Sequence, residues 1–491
     1  TSTPLITFDP HRADAGPLFS TYLTLVYDGL TSTHSTTLLE PQPGLAKSWR
    51  WLDRTTVEFE LHEGVRFIDG VPFDATAAKL NLERLVRLRG PRYHTVSSIK
   101  EAVVIDPTTL VVHLHFPDPT LLLNLAGSPG MMVSPAAFDN PDLDLDPVGT
   151  GPWRYMRAQS TLGDMHRFEP NPDYYAPERR ENAPFEVHVL TDNRARLNAL
   201  IAGQIDLAIV SPTEAAPARA MGFDVAERAN RWFGLTILDR DGELVPEFRD
   251  ARVRRALGFA VDRQALADVV FFGFARPASQ PIVDDLGYVE ARDAFSRYDP
   301  DESRRLLSEA GIERFSFTAP IVANSSAQYE AVQAYFRRVG IDMRLEIIEP
   351  GTVGAMARTR QYPVNTIGYP NFDPDARHMA IWATDAAFNP FHVDSPRTDA
   401  LADSAKASTD EEERRRLFEE YFDILVKDVY SVVFLQLQDL VAYDPEKLAV
   451  VPVGRYIDPV LREVRLGPIL TRSSNDRSDV LAAAGCESSP C

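Results

Sequence analysis

Two histidines, His113 and His115, stand two residues apart in the run Leu110-Val-Val-His-Leu-His-Phe116, and on a strand that spacing turns both imidazoles to one face. A hydrolytic metal site needs at least a third ligand, as in a cluster built on His-Glu-x-x-His, and the other histidines of the chain lie singly. The pair therefore reads as an exposed strand face. Gly127-Ser-Pro-Gly130 offers the residue types of a serine-hydrolase turn at the wrong spacing for Gly-x-Ser-x-Gly. Gly149-Thr-Gly151 lacks the Lys-Ser/Thr that completes a phosphate loop, and Pro152 removes an amide where phosphate would need one. Carboxylates are abundant, and no spacing among them singles out an acid/base pair. A hydrolase is a remote alternative; no turnover, no cofactor and no dedicated metal cage are expected.

The elements that carry these residues belong to a long folded chain. Its 491 residues, 44% of them hydrophobic and 25% charged, suffice for more than one lobe and leave no room for a disordered reading. A formal charge of −20 excludes nucleic acid as a natural partner, because the basic clusters Arg252, Arg254, Arg255 and Arg414 to Arg416 sit in helical patterns rather than in one patch. Both cysteines, Cys486 and Cys491, fall in the last six residues, so the body holds neither a disulfide framework nor a Cys-based metal site. The run Leu481-Ala-Ala-Ala-Gly-Cys486 looks like a lipoprotein cleavage box at the wrong end of the chain. No apolar run of about 18 residues crosses a membrane, and an export signal is expected to have been removed ahead of Thr1.

Strand and helix signals alternate without the regular repeat of a single doubly wound sheet, which predicts α/β lobes with inserted segments. Val57 to Leu61 and Leu110 to Phe116 alternate as half-buried strands, and Asp74 to Leu88 has helical spacing. Asn193 to Ala202 reads as a helix closed by Gly203, followed by a buried strand over Ile205 to Val210. Asp250 to Phe271 reads as one long amphipathic helix. Asp299-Pro300 opens another that stops at Gly311, and Asp410 opens a last one running to about Val429.

Short motifs follow one another along the chain: Phe8-Asp-Pro-His11 with Tyr27-Asp-Gly-Leu30, Pro43-Gly-Leu-Ala-Lys-Ser-Trp49, and Gly64-Val-Arg-Phe-Ile-Asp-Gly-Val-Pro-Phe-Asp74. Pro147-Val-Gly-Thr-Gly-Pro-Trp153, Asn171-Pro-Asp-Tyr-Tyr175 and Arg196 to Asp206 come next, then Asp250 to Leu257 and Tyr298-Asp-Pro300 through Glu309-Ala-Gly311. Taken in this order, the set resembles the peptide- and nickel-binding proteins of ABC importers, the family 5 extracellular solute-binding proteins. The resemblance implies a two-lobed periplasmic-binding-protein-like α/β fold of type II with an extra inserted α+β domain and a hinge between lobes. Carried over, lobe I takes residues 1–30, 150–233 and 436–491, the inserted domain 31–149, and lobe II 234–435, with Gly149 to Pro152 as a tight crossing between lobes. It also implies a monomeric, extracytoplasmic protein, periplasmic or a cell-surface lipoprotein, that delivers its ligand to the permease and ATPase of an importer.

The same resemblance supplies the ligand-binding candidates. Ile367-Gly-Tyr-Pro-Asn-Phe-Asp-Pro-Asp375 matches the segment of the family that lines the cleft, where many peptide binders place an ammonium-binding Asp three residues before Asp-Pro. Pro370 occupies that place here. Tyr369, Asn371, Phe372, Asp373, Arg377, His378 and Trp382 are expected to face ligand, with Trp232 and Phe233 from the first interlobe crossing. Arg92, Tyr93 and His94 of the inserted domain, and Ser128 where the nickel-binding branch has an arginine nearby, complete the set. A short peptide or peptide-like small molecule is the expected solute, with a nickel or other metal chelate as the alternative.

Overall fold

The computed structural model describes residues 7–13, 17–34, 40–179, 183–282, 287–292, 297–349, 352–366, 381–408, 410–453 and 460–467. The chain divides into two compact units, Thr1–Arg228 with Asp439–Cys491, and Ala229–Gln438.

In the first unit α1 (Pro17–Val26) precedes β1 (Ala46–Asp53) and β2 (Thr56–Leu61), α2 (Ala75–Leu88) follows, and β3 (Ile99–Asp106) and β4 (Thr109–Leu114) complete a four-stranded antiparallel sheet ordered β1-β2-β4-β3. Alternation builds it: Val57, Phe59 and Leu61 are buried, while Glu58 faces out and receives Arg50 Nε at 2.8 Å. Helix α2 lies against this core through Leu82 and Leu85. It starts where the Asp74 carboxylate accepts the Ala77 N–H at 2.9 Å and ends at Arg89, held at φ 47°. Buried Asn81 ties it to the backbone of Val133, donating at 2.8 Å and accepting at 2.9 Å.

A second antiparallel sheet joins β5 (Trp153–Tyr155), β6 (Met165–Pro170) and β7 (Phe185–His188), over a core of Phe8, Tyr22, Tyr27, Trp153 and Phe168. Then come α3 (Asn193–Ile201), capped by Asp192 and closed by Gly203 at φ 67°, and β8 (Leu207–Val210). The segment Gly149 to Pro152 lies inside this unit rather than at a crossing between units: a Cβ on Gly149 would meet the Val26 carbonyl oxygen at 2.1 Å, and one on Gly151 the Val26 carbonyl carbon at 2.4 Å. Its glycines are there so that two backbones can touch.

Strand β9 (Asp224–Ile237) carries the chain into the second unit. There α4 (Ala251–Phe259) and α5 (Arg263–Val270) replace the single helix expected over Asp250 to Phe271. The break has a local cause: Asp262 sits at φ −75°, ψ 95° and its carboxylate accepts the Ala265 N–H, so it starts a helix as Asp250 does for α4. Next are β10 (Ala275–Pro277), α6 (Pro300–Glu309) with Asp299 as cap, and β11 (Phe315–Ile321) joined through α7 (Ser326–Arg337) to β12 (Ile341–Ile347), a parallel pair in unbroken register. Strand β13 (Val364–Asn365) pairs antiparallel with Thr236 and Ile237 of β9. Helices α8 (Pro396–Ala407) and α9 (Glu411–Lys427) lead into β14 (Ser431–Tyr443), which returns to the first unit and there pairs with β8. Two cores fill the second unit, one around Phe233, Phe248, Phe317, Tyr329 and Phe434, the other around Trp232, Trp382, Phe418 and Tyr421.

Candidate functional site

Where β11 and β12 end, the second unit holds a half-open cavity of about 300 Å³. The parallel pair explains the place, since strands joined by a right-handed helical crossover leave a crevice outside their carboxyl ends. Pro320, Ile321 and Val322 finish β11 at its wall, and Ile348 follows β12. Val364 and Asn365 of β13, Trp232 and Phe233 of β9, and Met356, Ala357 and Tyr362 from the stretch before β13 add further wall.

Tyr329 organises the interior. The apolar stripe of α7 buries Tyr329, Val332 and Phe336, and the Tyr329 ring stands 4.8 Å from that of Phe233. Its hydroxyl lies 3.0 Å from the Gly234 carbonyl oxygen and 2.9 Å from that of Thr366, so it fastens β9 to the end of β13. Burial pushes this hydroxyl well above the ordinary phenol range. Tyr362 donates to Glu346 Oε1 at 2.7 Å, and burial together with that carboxylate pushes it up to about 12. Both phenols stay protonated at neutral pH and serve as walls and struts rather than as acids.

Among the described lining residues there is no carboxylate, histidine or cysteine, and among the described residues of the whole chain no group of His, Cys, Asp and Glu is placed to hold a metal ion. The cavity has the means to receive an apolar group, by area burial and aromatic contact, and no partner with which to activate a nucleophile in its described wall.

The structure distributes the candidates read from the sequence. Trp232 and Phe233 line the cavity. Trp382 is fully buried in the neighbouring core, 6.4 Å from the rings of Tyr421 and Phe422, and is not in the cavity wall. Arg92, Tyr93, His94 and Ser128 gather in the first unit, where the helical turns Tyr93–Val96 and Ser128–Gly130 pack on each other. There Arg92 is half-buried, Arg89 lies over the Tyr93 ring at 5.5 Å, exposed His94 holds Nδ1 3.0 Å from the Pro91 carbonyl oxygen, and Ser128 is buried. Tyr369, Asn371, Phe372, Asp373, Arg377 and His378 lie outside the described residues. Gln328, Tyr329 and Tyr362 are not singled out by sequence reasoning; the rule that ligands sit at the carboxyl ends of parallel strands would have pointed to the Ile321–Gln328 stretch.

The second of two units joined by β9 and β14 thus carries an aromatic cavity at its strand ends, a concave apolar wall of the kind small-molecule sites have. Residues 40–389 match the profile of the bacterial extracellular solute-binding proteins, family 5 middle region, and the chain belongs to that family. It is the extracytoplasmic solute-binding subunit of an ABC importer, the component that works with a membrane permease and ATPase. A similar curated protein is the glutathione-binding protein GsiB of Pectobacterium atrosepticum, 27% identical over 83% of this chain and 81% of that one. The crystal structure of NikA from Brucella suis in complex with Fe(III)-EDTA superposes with a TM-score of 0.83 at 24% identity, covering 95% of this chain and 98% of NikA. DppA from Helicobacter pylori in complex with the peptide STSA gives 0.75 at 22% identity over 94% and 96%. These likenesses establish the two-lobed periplasmic-binding-protein fold expected from the sequence.

Proposed function

We propose that this subunit binds a peptide or peptide-like small organic solute, without turning it over, and passes it to the permease. The observation that carries the reading is the cavity at the ends of β11 and β12, whose wall is aromatic and aliphatic with a few neutral polar groups. The peptide in the DppA structure and the glutathione named for GsiB agree with that class. Arg92, Tyr93, His94 and Ser128 in the first unit, and Trp232 and Phe233 in the second, are proposed as ligand contacts, together with Tyr369, Asn371, Phe372, Asp373, Arg377 and His378. A monomer, periplasmic or lipid-anchored at the cell surface, is the proposed state. A metal chelate is the second reading, favoured by the Fe(III)-EDTA complex of NikA.

Thermal melting with di- to pentapeptides and with nickel–histidine tests the choice. A peptide at 100 times its dissociation constant adds about 2.7 kcal/mol to unfolding and raises the melting temperature. A rise with the chelate alone would move the assignment to the second reading.

A further inference from the structure

We propose that Tyr329 is a positioning residue for solute binding: its hydroxyl, standing between β9 and the residue that follows β13, holds two walls of the cavity at the spacing that admits an apolar side group of the solute. The proposal rests on the peptide-like reading above and names what in this chain sets the fit of that site.

One of the two walls has little room to move. Gly234 of β9 lies so close to β14 that a Cβ there would meet the Val432 carbonyl oxygen at 2.1 Å. The neighbouring Phe233 ring, part of the cavity wall, is wedged between those of Phe271 and Tyr329, at 5.6 and 4.8 Å. A close-packed interior of this kind resists displacement.

The facing wall depends on side-chain hydroxyls. Strand β13 is two residues long, with Val364 opposite Ile237 and Asn365 opposite Thr236, and Thr366 follows its last residue. The Thr366 hydroxyl donates to the Pro320 carbonyl oxygen in β11, and the Thr366 carbonyl oxygen lies 2.9 Å from the Tyr329 hydroxyl. That hydroxyl also lies 3.0 Å from the Gly234 carbonyl oxygen, so one proton serves two oxygens and ties the lightly held wall to the fixed one. Tyr329→Phe keeps the ring against Phe233 and removes only the tie. Two carbonyl oxygens then share a gap with no proton between them, and the wall at Thr366 can shift away. A side group entering the cavity has to restore the spacing, and that cost falls on binding, as loss of preorganisation does in general.

The test is isothermal titration of the full chain with Ala-Ala-Ala and with the three tripeptides that carry one Phe in place of an Ala. In the unchanged chain the tripeptide whose Phe enters the cavity should bind tighter than Ala-Ala-Ala. In Tyr329→Phe that preference should shrink about three- to tenfold, the range of one neutral hydrogen bond, with Ala-Ala-Ala affinity held within about twofold. Thr366→Val, which removes the tie to Pro320 and keeps the side-chain shape, should shrink it too, and Thr366→Ser, which keeps the hydroxyl, should preserve it; this pair decides the matter if Tyr329→Phe does not fold. Ser303→Ala supplies the structural control. It removes a buried hydroxyl-to-carbonyl bond of the same kind, Ser303 Oγ to the Ala256 oxygen at 2.8 Å, outside the cavity wall, and should lower the melting temperature while leaving the preference unchanged. A preference unchanged in Tyr329→Phe and Thr366→Val, one reduced equally by Ser303→Ala, or none in the unchanged chain would overturn the proposal and leave peptide capture standing. Binding of none of the tripeptides would remove the peptide-like reading and the proposal with it.

Discussion

The guanidinium of Arg84 grips the carboxylate of Asp9 with two parallel bonds, Nη1 to Oδ1 at 2.9 Å and Nη2 to Oδ2 at 2.6 Å, and neither residue is more than 3% exposed. Helix α2 thereby holds the opening segment of the chain. Arg84→Met leaves the buried Asp9 carboxylate with only the exposed Arg12, whose Nε lies 3.4 Å from Oδ2, and should cost about 3 kcal/mol in urea unfolding. Adding Asp9→Leu removes the stranded charge, so the double variant should recover a large part of that loss. Additive losses would show that the two groups act independently.

His11 completes this cluster and makes it sensitive to pH. Its Nδ1 accepts from Arg84 at 2.9 Å and its Nε2–H faces the Met131 carbonyl oxygen at 3.2 Å, an arrangement that requires the neutral ring. Burial, helped by the charge of Arg84, lowers its pKa from 6.5 to about 4. Above pH 6.5 the imidazole is neutral in both the folded and the unfolded chain, and full stability is present. As pH falls below that value the unfolded chain binds a proton that the native state refuses until about pH 4, so stability should drop by on the order of 3 kcal/mol across this window. Burial raises the pKa of Asp9, and the hydrogen bond and charge of Arg84 outweigh it to hold the group below 3.8, so Asp9 adds its own loss only at still lower pH. Unfolding of His11→Gln, which keeps an acceptor and a donor, should show a flatter pH profile between 6.5 and 4.

Two glycines separate steric from conformational need. Gly149→Ala drives a Cβ to 2.1 Å from the Val26 carbonyl oxygen and should cost about 3 kcal/mol, the upper part of the overpacking range. Gly203 has open space around its missing Cβ but sits at φ 67°, so Gly203→Ala should cost only the left-handed strain, about 1–2 kcal/mol. Denaturant midpoints of the two variants check the order; a larger loss at Gly203 would contradict it.

The fold is legible where a side chain announces a chain event. Asp74, Asp192, Asp299 and Asp410 each accept an N–H from the first turn of a helix, and the spacing of apolar residues behind them marks those helices within a residue or two. Asp262 carries the same signal, but Val253, Leu257, Val261 and Leu266 keep a helical period across the break and hide it. The cavity is half legible. Trp232 and Phe233 stand out through family resemblance, whereas Gln328, Tyr329 and Tyr362 reach it from separate stretches of chain that no local spacing connects. Trp382 shows the limit of residue type as a guide: an indole serves a core as readily as a pocket, and here it fills a core.

The central claim, capture of an intact peptide-like solute, is tested most directly by native mass spectrometry of the full chain held for hours with a mixture of synthetic di- to pentapeptides. The account predicts one peptide per chain, at its unaltered mass, retained through buffer exchange and displaced by excess of another peptide. Fragment masses accumulating with time, or a chain that keeps no peptide at any concentration, would contradict it.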